Sequence, residues 1–385
     1  MPMTRFFSHE MESAHVTFKN GNYRPSYEST IKQLAKFSAP AGPHVAYASA
    51  LPKLRGYLLT DGNFGLFSKG RAVPLAQGTL AATGDYDVDK HADYTRCNAN
   101  TCAKLAALVL FRHTTVERER GGQKVMICSL PKSYSDWPSQ LFKGKHVGQI
   151  MGYLADSTEH LRQQDKTNLA NAVQHAQAWC QRALIVLANA NGGVGKPLLQ
   201  RAASMLTESN ATRAKAKASA RDLVKRWFAD VNTTEQQLDR AIGKLQTGFK
   251  RMVTLLNSNQ LILTDHVQLR NSVKDTPDWD NQKSESFVRG VPERLAVIYI
   301  ADNFLTNKGI IKDHRDWARI LIHETAHREA GLGKDVRYAA VKSIKPTSAT
   351  FSHAQAMVNA DSWAFFCADA AGQLTDAERK VAFDH

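Results

Sequence analysis

Residues 313–331 read DHRDWARILIHETAHREAG, and this stretch carries the strongest structural signal in the chain. Its apolar residues recur at helical spacing and no proline interrupts them, which predicts an α-helix. Asp313 is the expected N-cap, with Asp316 three residues later in a capping-box position. Gly331 is expected to adopt the left-handed conformation that ends such a helix.

The predicted helix contains the pattern H-E-x-x-H, formed by His323, Glu324 and His327. Two histidines four residues apart lie on one helical face, so both imidazoles can reach the same tetrahedral Zn²⁺ ion. Glu324 projects beside the metal, where it can take a proton from zinc-bound water and pass it to a leaving amine. The alternative is a solvent-facing helix with scattered polar residues. The flanking isoleucine, leucine and alanine favour the metal site.

A catalytic zinc needs a third protein ligand and one open position. The metzincin pattern would require glycine at position 330 and a ligand at 333, but these residues are Ala330 and Gly333. Glu329 is too close to the motif, and the next glutamate, Glu378, lies near the end of the sequence. Asp335 remains the best candidate for the third ligand.

Asp335 directly follows the helix in GLGKDVRY, where Gly331 and Gly333 allow the chain to fold back toward the ion. The alternative is an ordinary surface aspartate in a glycine turn. Tyr338 is three residues further on and has two interpretations. In the first, its phenol donates a hydrogen bond to the oxyanion of a tetrahedral intermediate. In the second, its ring packs half-buried against the helix.

This arrangement resembles the aspzincin metallopeptidases, the group of deuterolysin and lysine-specific metallo-endopeptidase. Their pattern is H-E-x-x-H followed by G-T-x-D-x-x-Y-G, and Asp335 with Tyr338 keeps the D-x-x-Y spacing. The segments KRWFADV, LAVIYIADNFL and NADSWAFF also resemble the family, so the similarity covers roughly residues 170–385. The chain departs from the pattern at Leu332, Gly333 and Ala339, and its loop after the second histidine is one residue shorter.

The resemblance implies a zinc-dependent endopeptidase whose metal ligands are His323, His327 and Asp335. Glu324 is then the general base and acid, and Tyr338 is the second catalytic residue, which donates a hydrogen bond to the oxyanion. The substrate would be a protein or peptide.

Asp361 lies in SHAQAMVNADSWAFFCADAAG, which predicts one helix with Ser352 as its N-cap. The residue falls within an apolar stripe, and a buried acid must be paired or must border a pocket. The resemblance implies that this aspartate faces the residue after the scissile bond and favours lysine there. Ala364 stands where a second acid would strengthen that preference.

The whole pattern predicts an α+β fold. Residues 1–137 are expected to form an N-terminal region of mixed α/β character and unknown function. Residues 138–385 are expected to form a mainly helical, zincin-like metallopeptidase domain with a small sheet beside the active-site helix. Its helical half would span 138–257 and its active-site half 258–385. Strands are expected in KLAALVLFRH and QKVMICSL, paired through ERERGG, and in RLAVIYIA, whose edge an extended substrate could join.

The chain has 385 residues and a formal net charge of +14. Arg213, Lys217, Arg221 and Lys225 repeat every four residues along a predicted helix. Such a row is either a solvated helix face or a basic surface that attracts acidic partners. No motif points to specific nucleic-acid recognition, and no run has the length of a membrane span.

Five cysteines form a sparse and odd set, which predicts folding in a reducing cytoplasm, although Cys97 and Cys102 could pair. The first residues lack the pattern of a classical signal peptide. An extracellular-type peptidase of this architecture suggests a bacterial effector or toxin exported by a specialised secretion system. A component of that apparatus or a cognate inhibitor would then be a partner. Two alternatives remain open: a zinc hydrolase that cuts cell-wall peptides, and an inactive binding module with a basic surface.

Overall fold

The computed structural model describes residues 113–117, 125–131, 133–134, 137–145, 153, 158–192, 209–258, 261–265, 285–288, 296–306, 309–333 and 335–384. Most of the predicted N-terminal region and the pair Cys97 and Cys102 lie outside these residues. The described part combines long helices with one small sheet, which confirms the α+β class. The domain boundary predicted between residues 137 and 138 stays a prediction.

The described strands form a mixed sheet with the order β1-β2-β3-β5-β4. The strands are β1 Thr114–Glu117, β2 Val125–Cys128, β3 Leu261–Thr264, β4 Ser286–Phe287 and β5 Ala296–Ile300. The central strands β2, β3 and β5 are parallel, with Met126 opposite Ile262 and Ile262 opposite Val297. Every residue of these three strands is buried, as expected for parallel strands with continuous apolar sequences.

Antiparallel pairs flank the parallel strands on both sides. The strand predicted in QKVMICSL is confirmed as β2, and it pairs with β1 across ERERGG. However, β1 begins at Thr114, directly after KLAALVLFRH, and the strand predicted in that stretch lies almost wholly outside the described residues. The strand predicted in RLAVIYIA is also confirmed, as β5. However, β5 pairs with β3 on one side and, at Tyr299 and Ile300, with β4 on the other. It is therefore not the free sheet edge that the sequence suggested for substrate.

The middle of the chain is helical, in the segments α1 Pro138–Leu141, α2 Gln163–Ala190, α3 Asn210–Phe228 and α4 Glu235–Leu256. Ser209 caps α3 by accepting a hydrogen bond from the backbone N–H of Thr212. Thr234 and Gln237 form a capping box at the start of α4. The predicted breaks after α2 and before α3 are confirmed, because α2 ends at Ala190 and α3 begins at Asn210.

Helix α5, His314–Glu329, is the helix that the sequence predicts around H-E-x-x-H. Asp313 is its N-cap and accepts a hydrogen bond from the backbone N–H of Arg315. Gly331 has a φ of 65° and follows the C-cap residue Ala330, as predicted. The capping-box role of Asp316 is wrong: this side chain is 1% exposed and accepts a hydrogen bond from Arg319 instead.

Three further helices complete the described chain: α6 His353–Ala356, α7 Ala360–Ala370 and α8 Asp376–Asp384. Ser352 caps α6 as predicted and forms a capping box with Gln355. The single helix expected from Ser352 onward is wrong, because Asn359 interrupts it with an extended backbone and starts α7. Asn359 directs its side-chain oxygen to the backbone N–H groups of Val336 and Arg337 in another segment.

The described residues fall into two compact units. The first contains the sheet and the start of α2, and the second contains the rest of α2 together with α3 to α8. In the second unit, Trp363 of α7 packs against Phe249 of α4, with ring centroids 5.3 Å apart. A methyl group on Gly248 would overlap the ring of Trp363, so glycine permits the close approach of α4 to α7.

Candidate metal centre

Three side chains of the second unit converge at the C-terminal end of α5. The Nε2 atoms of His323 and His327 lie 3.1 Å apart. Oδ2 of Asp335 lies 3.1 Å from Nε2 of His327 and 3.4 Å from Nε2 of His323. The structure therefore brings together all three residues that the sequence predicts as metal ligands.

This triangle of atoms has the dimensions of one face of a zinc coordination tetrahedron. Zn–N and Zn–O bonds are about 2.0–2.1 Å long, so two ligand atoms of a tetrahedral ion lie about 3.3 Å apart. The three observed separations are all within about 0.3 Å of this value. Oδ1 of Asp335 is also buried and has no hydrogen-bond partner within the described residues. The donor set fits Zn²⁺, since two imidazoles and one carboxylate leave a fourth position open.

The Nδ1 atom of each histidine faces a hydrogen-bond acceptor. Nδ1 of His323 lies 2.7 Å from Oδ1 of Asp361, and Nδ1 of His327 lies 3.1 Å from the carbonyl oxygen of Leu332. Since a carbonyl oxygen and a carboxylate only accept, both histidines carry their proton on Nδ1 when neutral. Their Nε2 lone pairs then face one another, and a cation between them relieves the repulsion. Hydrogen bonds of this type fix the tautomer and the ring orientation of metal-binding histidines.

Asp361 lies on the first turn of α7 and is 2% exposed. Besides His323, its Oδ1 accepts a hydrogen bond from Nη1 of Arg319 at 3.2 Å. Its Oδ2 accepts one from the backbone N–H of Ala339 at 2.8 Å. The expectation that this acid is paired is met, and its visible role is to orient His323. Its predicted contact with substrate stays a prediction.

The turn after α5 brings Asp335 to the histidines. Of the two glycines expected to permit this turn, only Gly331 has a positive φ. Leu332 stands where the aspzincin pattern has glycine, and it is 5% exposed while its carbonyl holds His327. Beyond Asp335, the side chain of Asn359 holds the loop through the N–H groups of Val336 and Arg337, at 3.2 and 2.9 Å.

Glu324 and Tyr338 lie beside the three ligands. Glu324 is 5% exposed, and its charge contributes to raising the pKa of both His327 and Tyr338. The ring of Tyr338 stacks on that of His323, with centroids 6.0 Å apart and planes 16° apart. Tyr338 nevertheless remains 52% exposed. It thus combines the two interpretations from the sequence, because it packs on the site and still faces solvent.

The electrostatics of the cluster follow from its buried carboxylates. Burial alone would lower the pKa of His323, but hydrogen bonds to Asp335 and Asp361 outweigh burial and raise this pKa well above its ordinary value. Burial would raise the pKa of Asp335, but hydrogen bonds to both histidines lower it strongly. Burial and the neighbouring Asp335 carboxylate raise the pKa of Tyr338. The centre therefore attracts positive charge, as a cation site requires.

His353 and the basic row of α3 have their own contacts, separate from those of the three ligands. Nδ1 of His353 lies 2.6 Å from the carbonyl oxygen of Phe228, so this histidine joins α6 to the end of α3. In the basic row of α3, Arg221 forms ion pairs with Glu235 and Asp239 of α4, at 2.5 and 2.7 Å. Part of the row is therefore neutralised within the protein.

Sequence reasoning missed the residues behind the ligands, namely Arg319, Asp316 and the carbonyl of Leu332. A signal for the first two exists in the sequence, because Asp316, Arg319 and His323 have the spacing i, i+3, i+7 of one helical face. Charged residues on the same face as a ligand, surrounded by apolar residues, indicate a buried network.

The chain was compared with curated proteins and with models of protein families. No curated protein matches the chain. Residues 213–368 match the family model of the aspzincins, described as lysine-specific metallo-endopeptidase. The matched segment contains α5, the loop with Asp335 and Tyr338, and Asp361 of α7. Among the described helices, none has the length and hydropathy of a membrane span. The resemblance of this chain to the aspzincin metallopeptidases is therefore confirmed over residues 213–368.

Proposed function

We propose that this protein is a zinc-dependent endopeptidase that hydrolyses peptide bonds in protein or peptide substrates. The observation that carries the proposal is the triangle of His323 Nε2, His327 Nε2 and Asp335 Oδ2, with sides of 3.1, 3.1 and 3.4 Å. The match to an endopeptidase family supports peptide bonds as the target.

Zinc, when bound, acts as a Lewis acid that lowers the pKa of water and polarises a carbonyl group. The remaining work belongs to the side chains. Glu324 accepts the proton of the attacking water and returns it to the leaving amine. Tyr338, whose phenol is a hydrogen-bond donor at neutral pH, donates a hydrogen bond to the scissile carbonyl oxygen as that oxygen gains charge. Asp361 and Leu332 hold the two imidazoles in orientation.

The central test combines metal analysis with digestion. Purified protein should contain close to one zinc per chain, and it should cleave casein at sites that peptide mapping can locate. Glu324→Gln should abolish cleavage while zinc content and folding are retained. Glu329→Gln is the matched control, because Glu329 lies on the same helix, with a side chain 27% exposed and paired with Arg328. This control should keep full activity.

The outcomes separate the alternatives. Zinc binding with cleavage of purified cell wall but not of unfolded protein would favour a hydrolase of cell-wall peptides. Identical behaviour of wild type and Glu324→Gln on every substrate would contradict catalysis and favour a binding module. Arg221 and Lys225 of the basic row form ion pairs within the described residues, so Arg213 and Lys217 would then be the surface to examine.

The proposal includes a preference for lysine after the scissile bond. Its support is the family description, with Asp361 as the source of negative charge. That carboxylate already interacts with Arg319 and His323, and Ala364 adds no second acid, so the preference should be weak. Matched peptides that differ only in lysine, arginine or leucine at this position provide the test. Equal rates would contradict the preference and leave the endopeptidase proposal intact.

We also propose that the protein is an effector or toxin exported by a specialised secretion system. Its support is the extracellular character of the resembling family, together with the buried thiols of Cys180 and Cys367, which form no disulfide within the described residues. Such thiols are typical of a chain that folds in a reducing compartment before export. Fractionation of producer cells should find the protein in the medium or in target cells. Retention inside intact cells under all secretion conditions would contradict this role, as would the lack of any co-purifying inhibitor or secretion component.

A further inference from the structure

A row of buried polar side chains runs along α5 toward the metal centre. Asp316, Arg319 and His323 share one face of the helix and are 1%, 6% and 6% exposed. Buried charges of this kind are costly unless each has a partner. The partners here lie within the row and on the neighbouring helix α7, so the row is a connected network rather than a set of separate residues.

Arg319 is the centre of this network. Its Nε donates to Oδ1 of Asp316 at 2.7 Å, and its Nη1 donates to Oδ1 of Asp361 at 3.2 Å. The same oxygen of Asp361 accepts the hydrogen bond from Nδ1 of His323 at 2.7 Å. The guanidinium also lies over the ring of Phe365, 5.6 Å from its centroid. A planar, rigid donor group is thereby fixed on three sides.

The far end of the network is held by the loop before α5. A methyl group on Gly309 would overlap the carboxylate of Asp316, so the backbone at Gly309 lies directly on that side chain. Asp316 therefore has little freedom to move away from Arg319. Asp316 and Asp361 thus share one guanidinium, and Asp361 in turn faces His323.

We propose that Arg319 and Asp316 are positioning residues of the metal centre. Asp316 fixes the guanidinium of Arg319, Arg319 fixes the carboxylate of Asp361, and Asp361 fixes the imidazole of His323. This inference rests on the proposed zinc site and extends it by two residues that touch neither metal nor substrate. Replacing either one should loosen the zinc site although every ligand remains in place.

The test measures zinc affinity by competition with a chromophoric chelator, without any substrate. Arg319→Met should weaken zinc binding about tenfold, the lower end of the range for residues that support a metal ligand. The visible spectrum of the Co²⁺-loaded variant should also change, since it reports ligand geometry. Arg319→Lys should recover part of the loss, because lysine keeps the charge but not the planar fork. A folded Arg319→Met whose zinc affinity and Co²⁺ spectrum equal those of wild type would overturn the proposal.

Arg315→Met is the matched control. Arg315 lies on the same helix and pairs with Glu378 at 2.9 Å, away from the metal ligands. The Arg315→Met variant should have a lower thermal stability than wild type and an unchanged zinc affinity. If Arg319→Met affects only thermal stability in the same way, its role is structural and the proposal fails.

Two milder variants decide the question if Arg319→Met does not fold. Asp316→Asn keeps the shape of the side chain, and Gly309→Ala displaces it from outside the helix. Each should weaken zinc binding, and unchanged affinity in both would overturn the proposal. Because these measurements need no cleavage, they separate this inference from the proposed function. An inactive protein whose zinc affinity depends on Arg319 would support the network and contradict only the peptidase.

Discussion

The metal centre has two halves that hold their histidines by different means. The inner half consists of His323, Asp361 and Arg319, where a buried carboxylate from another helix fixes the ligand. The outer half consists of His327, Leu332, Asp335 and Tyr338, where the ligand is fixed by a backbone carbonyl five residues further along the chain. The inner half therefore depends on tertiary packing, whereas the outer half depends on a local turn.

This difference suggests a division of labour. A charged partner increases the basicity of a histidine ligand, so the inner half should govern metal affinity. The outer half carries the exposed phenol of Tyr338, so it should govern the reaction with substrate. Variants of the residues that are not metal ligands, Asp361 in the inner half and Tyr338 in the outer half, should consequently have opposite profiles.

Among variants that compare the two halves, the largest effect should come from Tyr338→Phe, in the outer half. Loss of one donor to a developing oxyanion typically reduces kcat by about 10²–10³-fold. Zinc affinity should be unchanged, because the ring still stacks on His323. Steady-state kinetics and chelator competition on the same preparation check both statements. Weakened zinc binding without a kcat effect would mean that the tyrosine only packs on the site.

Asp361→Asn should show the opposite profile in the inner half. The amide keeps its size but offers His323 a weaker, uncharged acceptor, so zinc affinity should fall by about 10–100-fold. At saturating zinc, most of the activity should return. A zinc affinity equal to that of wild type would contradict the proposed difference between the two halves. The same variant also allows the lysine preference to be measured again.

Zinc affinity should depend on pH, and protonation of His323 should set the range. In the metal-free protein the pKa of His323 is raised, because Asp335 and Asp361 outweigh the effect of burial. A proton therefore competes with zinc from a pH above the ordinary histidine value, and competition grows as the pH falls. The apparent affinity should drop by up to about tenfold per pH unit for each proton displaced. Asp361→Asn should move the onset to lower pH, and an unchanged onset would argue against this cause.

The smallest effect on the site should come from Asn359→Ala, which releases the outer loop from α7. Two part-buried backbone N–H groups, those of Val336 and Arg337, lose their acceptor. The free energy of unfolding should fall by about 1–2 kcal/mol, measured by urea denaturation of metal-free protein. Zinc affinity should change less than in Asp361→Asn. A larger change would show that the outer half also depends on tertiary contacts.

The sequence predicts the outer half better than the inner half, for a physical reason. Helix α5, the turn at Gly331 and the approach of Asp335 are set by local propensity and spacing, so a single sequence reveals them. The hydrogen bond from His323 to Asp361 requires α7 to pack on α5, and no local pattern encodes that contact. The same limit explains why Asp316 was interpreted as a capping residue, since only packing shows that it is buried beside Arg319.

The contact distances along the chain imply an order in which the centre can assemble. His323 and His327 are four residues apart and His327 and Asp335 eight, whereas His323 and Asp361 are 38 apart. Closing a segment of 38 residues costs about 1.4 kcal/mol more chain entropy than closing one of eight. The helix and the turn after it can thus bind the ion before α7 docks. The later docking of α7 then adds the hydrogen bond from His323 to Asp361 and increases the affinity for the ion.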